Sequence, residues 1–256
     1  MRNVWTIANR ELQAYFTSPI AYIVLAMFAI IFGFFFYSAV AFFVQFSAQA
    51  AANPGAAPPM NVNQFIIQPT LGNLTIVLLF LMPMLTMRMF AEEKRSGTIE
   101  LLLTSPIKDY EIILGKWLGG MLLWLCMIGV ATINFSILWI YTVPDWKALL
   151  TAYLGMLLLG GAMLAIGVFI STTTKNQIVA GAVTFGLFLL LWVLSWVNQY
   201  SSSTIGRVCA YLSMPSHFDQ FAKGVIELKD FVYYLSAIAL GLFLSKRSIE
   251  SMRWKA

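Results

Sequence analysis

The chain has one histidine, His217, and two cysteines, Cys126 and Cys209, and that scarcity decides most of its chemistry. A zinc or hydrolytic centre needs clustered ligands, or a nucleophile with a base beside it. Neither H-E-x-x-H nor G-x-S-x-G can be built around a single imidazole here, so His217 reads as an interfacial polar residue. Cys126 lies deep in an apolar run and Cys209 in a later loop, which leaves no disulfide framework and no C-x-x-C pattern. Met82, Met84, Met87 and Met89 flank Pro83. Thioethers suit Cu(I), but these four point around a helix rather than along one side, which favours core packing. The only Gly-Lys pair, Gly115-Lys116, is followed by Trp117 and has Tyr110 where a phosphate-binding loop needs its first glycine. The sequence offers no catalytic residue, no metal ligand set and no ATPase motif.

What it offers is placed charge. Arg88 to Lys116 holds ten of the twenty-seven charged side chains, between two stretches, Leu12 to Met87 and Trp117 to Pro144, that hold none. Around that charged segment, 60% apolar and 11% charged residues exceed what one soluble core of 256 residues can hide. The solvent for most of the chain is lipid. Spans of sufficient length run over residues 20–44, 71–87, 118–141, 149–171, 178–198 and 231–245. The last is short, and the preceding alternation of apolar and charged residues predicts an interfacial or re-entrant element before it.

With the N-terminus inside, twelve Lys and Arg fall on the cytoplasmic side and four outside, so both termini are expected in the cytoplasm. The basic residues are spread among ends and loops and line no patch for nucleic acid. Residues 1–19 predict an amphipathic helix lying along the membrane, with Val4, Trp5, Ala8, Leu12, Tyr15 and Phe16 on one face and Ser18-Pro19 ending it. Gln45 to Thr70, free of charge and rich in Ala and Pro, reads as an outer linker.

The central loop carries caps and breaks. Ser96-Gly97 interrupts the helix leaving the second span, Thr98 caps a new turn with Glu100 near its positive end, and Ile99, Leu101, Leu102 and Leu103 make that turn greasy. Ser105-Pro106 predicts the start of the next helix. In the span interiors no acidic, basic or imidazole side chain occurs, which leaves an ion-coupled secondary transporter without carriers. A non-transporting membrane scaffold remains as the other alternative. Small-residue spacings at Gly115/Gly119 and Gly161/Ala165 offer close helix contacts, within the chain or between copies, and Asn134 and Gln177 could bond between helices.

The stretch AEEKRSGTIELLLTSPIKDYEIILGKWLG resembles the loop between the second and third spans of ABC-2 type transporter permeases. Two later stretches, SMPSHFDQFAKGVIELKDFVYYLS and RSIESMRW, resemble the gliding-motility branch of that family, related to a permease of copper-site maturation. The resemblance implies an all-α integral membrane protein of six spans, with an N-terminal interfacial helix, a cytoplasmic coupling helix and extracytoplasmic re-entrant helices before the last span. It implies a permease subunit of an ATP-binding cassette transporter, an exporter of unidentified cargo, in the bacterial cytoplasmic membrane; the lack of buried charge leans toward an apolar, lipid-linked or lipoprotein cargo. ATP and Mg would be bound by a separate ATPase subunit, and no cofactor by this chain. Partners would be that ATPase, a second copy or homologous permease, and an extracytoplasmic auxiliary protein. The motif carries Glu93, Gly97, Thr98, Glu100 and Leu101 over as coupling residues, with Glu92 and Leu102 beside them in the loop 92–108. Residues 213–230 would form an external gate around His217, Phe218, Phe221, Gly224 and Val225. ATP binding would close two ATPase subunits onto the turn at Thr98 to Thr104 and shift spans two and five.

Overall fold

In lipid a charge-free run must satisfy every backbone N–H and C=O within itself, so a 34-residue stretch such as Pro19–Ala52 has helix as its one open form. The computed structural model describes residues 2–52, 61–100, 107–142, 144–200 and 204–253. Among them are α1 (Arg2–Thr17), α2 (Pro19–Ala52), a π turn (Asn63–Ile67) running into α3 (Gln68–Thr86), α4 (Ala91–Ser96) and α5 (Asp109–Tyr141). There follow α6 (Trp146–Thr173), α7 (Gln177–Tyr200), α8 (Thr204–Leu212), α9 (Met214–Ala222) and α10 (Leu228–Arg253). No strand occurs among the described residues. Among the described residues six helical stretches, counting Asn63–Ser96 as one, are long and apolar enough to cross a membrane. The protein is an all-α, multi-pass integral membrane protein.

The helices outrun the apolar segments read from sequence. α2 at 34 residues measures about 51 Å, longer than a hydrocarbon core of about 30 Å, and its C-terminal part meets the π turn. There Phe46 stacks on Phe65 of the π turn, ring centroids 5.4 Å apart. The last span is not short: α10 begins at Leu228, inside the stretch expected to be interfacial, and continues through Lys246 and Arg247 to Arg253. α9 is nevertheless present as a separate short helix before it.

α3 and α6 form the centre, and α2, α7 and α10 leave most of their surface outward. Indole N–H groups in an apolar interior need acceptors. Trp124 of α5 donates to the carbonyl of Met156 (3.0 Å) and Trp117 to that of Gly161 (3.0 Å), both on α6. Gly160 makes room for the first, since a Cβ there would sit 2.2 Å from Trp124 Nε1. Both small-residue spacings are used within the chain. Gly115 and Gly119 receive Ile7, Ala8 and Glu11 of α1, Gly161 faces Ile238, and Ala165 packs on Gly241 of α10. Asn134 bonds the carbonyl of Val130 in its own helix, at 3.1 Å, rather than a neighbour.

That docking sets the buried face of α1. Val4, Ile7, Ala8, Glu11 and Tyr15, at helical spacing, turn inward, while Trp5 is 60% exposed on the outer side. Sequence reading grouped Trp5 with Val4, Ala8 and Tyr15 on one apolar face; in the structure Trp5 is turned away from the docked face of α1.

Candidate functional site

Six residues of helix are too few to hold themselves together, so α4 depends on ties to its neighbours. Ser171, buried near the end of α6, supplies three of them. Its Oγ accepts from the backbone N–H of Phe90 (3.0 Å) and of Ala91 (3.1 Å) and donates to the carbonyl of Met87 (3.2 Å). One hydroxyl thus satisfies the backbone groups left open where α3 ends and α4 begins. Lys94 reaches the carbonyl of Thr172, which also accepts from Ser248 of α10 at 3.2 Å.

On its other side α4 meets a buried cation. Lys116 Nζ, on α5, lies 2.6 Å from Glu11 Oε1 of α1 and 2.8 Å from Glu93 Oε1 of α4, with the Phe90 ring centroid 5.1 Å away. The Lys116 side chain is 3% exposed. An ammonium so placed without partners would carry a desolvation penalty of several kcal/mol, so three elements are bound by their need to neutralise it. Next to it, Tyr15 donates to the Leu85 carbonyl at 3.0 Å and lies under the guanidinium of Arg88 (4.4 Å to the ring centroid). Burial, with Glu11 adding to it, pushes the Tyr15 phenol well above its ordinary range, so it stays a proton donor.

α4 ends at Gly97, whose φ of 74° is the left-handed conformation that closes a helix and that side chains with a Cβ resist. Ser96 Oγ and Thr98 Oγ1 are 2.9 Å apart, and the Glu100 N–H donates to the Gly97 carbonyl at 3.3 Å. Thr98 and Glu100 are exposed and Ile99 is buried. Leu101 and Leu102, with Ser105 and Pro106, lie outside the described residues. The next helix as described starts at Asp109, where Glu111 Oε2 accepts from the Lys108 N–H (3.2 Å) and from Asn3 of α1 (3.2 Å).

At the opposite end of the bundle α9 is wedged among α3, α6 and α7. Phe218 and Phe221 are fully buried, and Phe221 fills the space beside Gly155, where a Cβ would lie 2.5 Å from it. Gly155 is nine residues along α6, so α9 sinks about 14 Å below the start of that helix. Gly224 ends the segment with φ 85°, tight against Ala148 of α6, while Val225 is exposed. His217 is buried, stacked on Tyr233 with centroids 3.9 Å apart. Both ring nitrogens face acceptors: Nε2 donates to the Tyr211 carbonyl (2.8 Å), and one proton joins Nδ1 to Asp230 Oδ1 (2.6 Å). The lone histidine is therefore a clasp between α8, α9 and α10.

Comparison with known proteins settles the family. The family described as "ABC-2 family transporter protein" matches residues 5–245, nearly the whole chain. The chain belongs to the ABC-2 family. It is 32% identical over 154 residues to a protein of Pseudomonas aeruginosa named "Probable ABC transporter permease protein NosY", covering 55% of this chain and 56% of that one. To "Probable multidrug ABC transporter permease YbhR" of Escherichia coli K12 it is 25% identical over 177 residues, 68% of this chain and 46% of that one. The chain thus spans about half the length of the curated relatives it matches. ABC-2 proteins are the membrane component of ABC transporters and not the ATPase.

In this ABC-2 chain the residues singled out from sequence separate into two groups. Glu92, Gly97, Thr98 and Glu100 stand at the surface around α4, whereas Glu93 turns inward to Lys116. His217, Phe218 and Phe221 form one packed unit with Asp230. Sequence reading missed Glu11, Lys116 and Ser171. The signal for the first two was the pair of glycines flanking Lys116, which marks a helix seated there; for Ser171 there was none.

Proposed function

We propose that this chain is the membrane-spanning permease subunit of an ATP-binding cassette exporter, with ATP and Mg held by a separate ATPase subunit. The observation that carries this reading is the geometry of α4. A short, highly charged helix ends in an exposed turn at Thr98 and Glu100, yet is bound through Ser171, Lys94 and Glu93 to α6 and α5. Such an arrangement suits a surface that takes force from a partner and passes it to the spans. The bundle lies in the bacterial inner membrane with both termini cytoplasmic, as the Lys and Arg distribution supports. A second copy or homologous permease completes the pathway along the outward faces of the spans. α9 serves as the external gate, open to an extracytoplasmic auxiliary protein. The charge-free span interiors favour an apolar, lipid-linked or lipoprotein cargo.

The test is copurification. A nucleotide-binding subunit is expected to come with this chain, and ATP turnover to depend on the pair. Glu100→Lys should leave membrane insertion intact and weaken ATPase association or uncouple turnover from transport. Unchanged association and unchanged transport would overturn the coupling assignment. Glu93 is the wrong residue for this test, because replacing it unpairs Lys116.

A further inference from the structure

A cleft of about 420 Å³ opens beside α4, between α1, the Ser18–Pro19 corner, the exit of α3, α5 and the first residue of α7. That is the size of a small-ligand site, roughly 300–1,000 Å³. Its charges are sorted into used and unused. Lys116 is taken up by Glu11 and Glu93. Arg10, Arg88 and Glu92 also line the cleft and form no ion pair among the described residues, Arg88 being engaged with Tyr15 alone. Glu93 is also among the lining residues, its Oε1 on Lys116 and its Oε2 buried with no hydrogen-bond partner.

A buried carboxylate oxygen left without a donor is destabilising by about 1–3 kcal/mol, so this position favours an incoming N–H. Arg88, fixed over the Tyr15 ring, and Arg10 favour an incoming anion with several oxygens, the ligand for which guanidinium is shaped. One ligand meets both needs if it carries an anion and an ammonium a few bonds apart. The wall beside these groups is apolar, with Ile20 at the start of α2 and Met87 at the end of α3. Charge and apolar surface therefore meet where two spans reach the edge of the membrane and α1 lies across them.

We propose that this cleft binds the headgroup of a phospholipid bearing both a phosphate and a primary ammonium, the phosphate on Arg10 and Arg88 and the ammonium on Glu93 and Glu92. The orientation proposed above makes this an inner-leaflet lipid; the binding chemistry itself does not rest on the transport reading. It explains why a buried acceptor is tolerated beside a triad that already outnumbers its cation with carboxylates.

Native mass spectrometry of the full chain in detergent, offered equal amounts of phosphatidylethanolamine, phosphatidylcholine and phosphatidylglycerol, tests it. Phosphatidylethanolamine should be retained about tenfold over both others, because the choline group cannot donate to Glu93 and the glycerol group carries no cation. Arg10→Gln with Arg88→Gln should weaken retention of all three lipids together, since they share the phosphate, whereas Glu92→Gln should shrink the preference for phosphatidylethanolamine. Equal retention of the three lipids by the unaltered chain would overturn the proposal without recourse to any variant. Soluble phosphoethanolamine bound as tightly as the lipid would overturn the assignment to a membrane component. If the arginine double variant instead lost the ATPase while retaining lipid as the unaltered chain does, the cleft would be a protein-docking surface and the proposal would fall. The lipid comparison is read on this chain alone, so failure of the ATPase reading leaves its outcome unaffected.

Discussion

Lys116 decides whether α1 and α4 belong to the bundle or merely lie beside it. Lys116→Met leaves Glu11 and half-buried Glu93 facing each other without a cation, and should lower stability by about 3–5 kcal/mol in a thermal or denaturant unfolding series. The triple variant with Glu11→Gln and Glu93→Gln should recover most of that loss, since the penalty belongs to the unpaired charges and not to the missing side chain. Equal instability of both variants would refute the triad as the tie. Gly160→Ala tests packing by steric means: a methyl 2.2 Å from Trp124 Nε1 forces the indole off its Met156 carbonyl, and about 1–3 kcal/mol of overpacking is expected. Little of this was legible beforehand. Lys116 could be counted as a loop charge, but its partners lie 105 and 23 positions away, and one sequence does not show which distant charges meet. Ser171 looked like the last residue of a span because its role lies in backbone groups that composition does not record.

Among the elements, α9 has the most to lose from a single change. It is held by apolar burial on one side and on the other by the hydrogen bond between His217 and Asp230. Losing a buried hydrogen bond and leaving its partner unsatisfied costs about 1–3 kcal/mol, so His217→Ala should speed amide exchange across residues 214–222 by roughly ten- to a hundredfold while leaving α5 and α6 unchanged. Uniform acceleration through all helices would mean that His217 supports the global fold instead. The existence of α9 was readable from its alternation of Phe218, Phe221 and charged neighbours. Its depth was not, because the groove at Gly155 that receives Phe221 belongs to α6. α10 shows the converse. Hydropathy alone cuts it to fifteen residues, whereas backbone hydrogen bonding carries the helix past its charges at both ends.

For the whole molecule, the six-span plan came through from sequence because lipid imposes it: length and freedom from charge are local properties. Sidedness is a prediction of the positive-inside rule, and impermeant thiol labelling checks it. With native Cys126 and Cys209 replaced, Ala52→Cys should react in intact cells and Ser96→Cys only after the membrane is opened. Reaction of both from one side would break the topology. What could not be read was how the charged end is joined to the core, and there the end of α6 has a mechanical meaning. Ser171 clamps the elbow between α3 and α4, and the Thr172 carbonyl takes Lys94 from one side and Ser248 from the other. The three helices share a fulcrum. On the proposed coupling role, force applied at α4 would pass through these bonds to α6 and α10. If the proposed coupling holds, Ser171→Ala should free that elbow and raise ATP turnover per cargo moved, read by measuring both on the copurified complex.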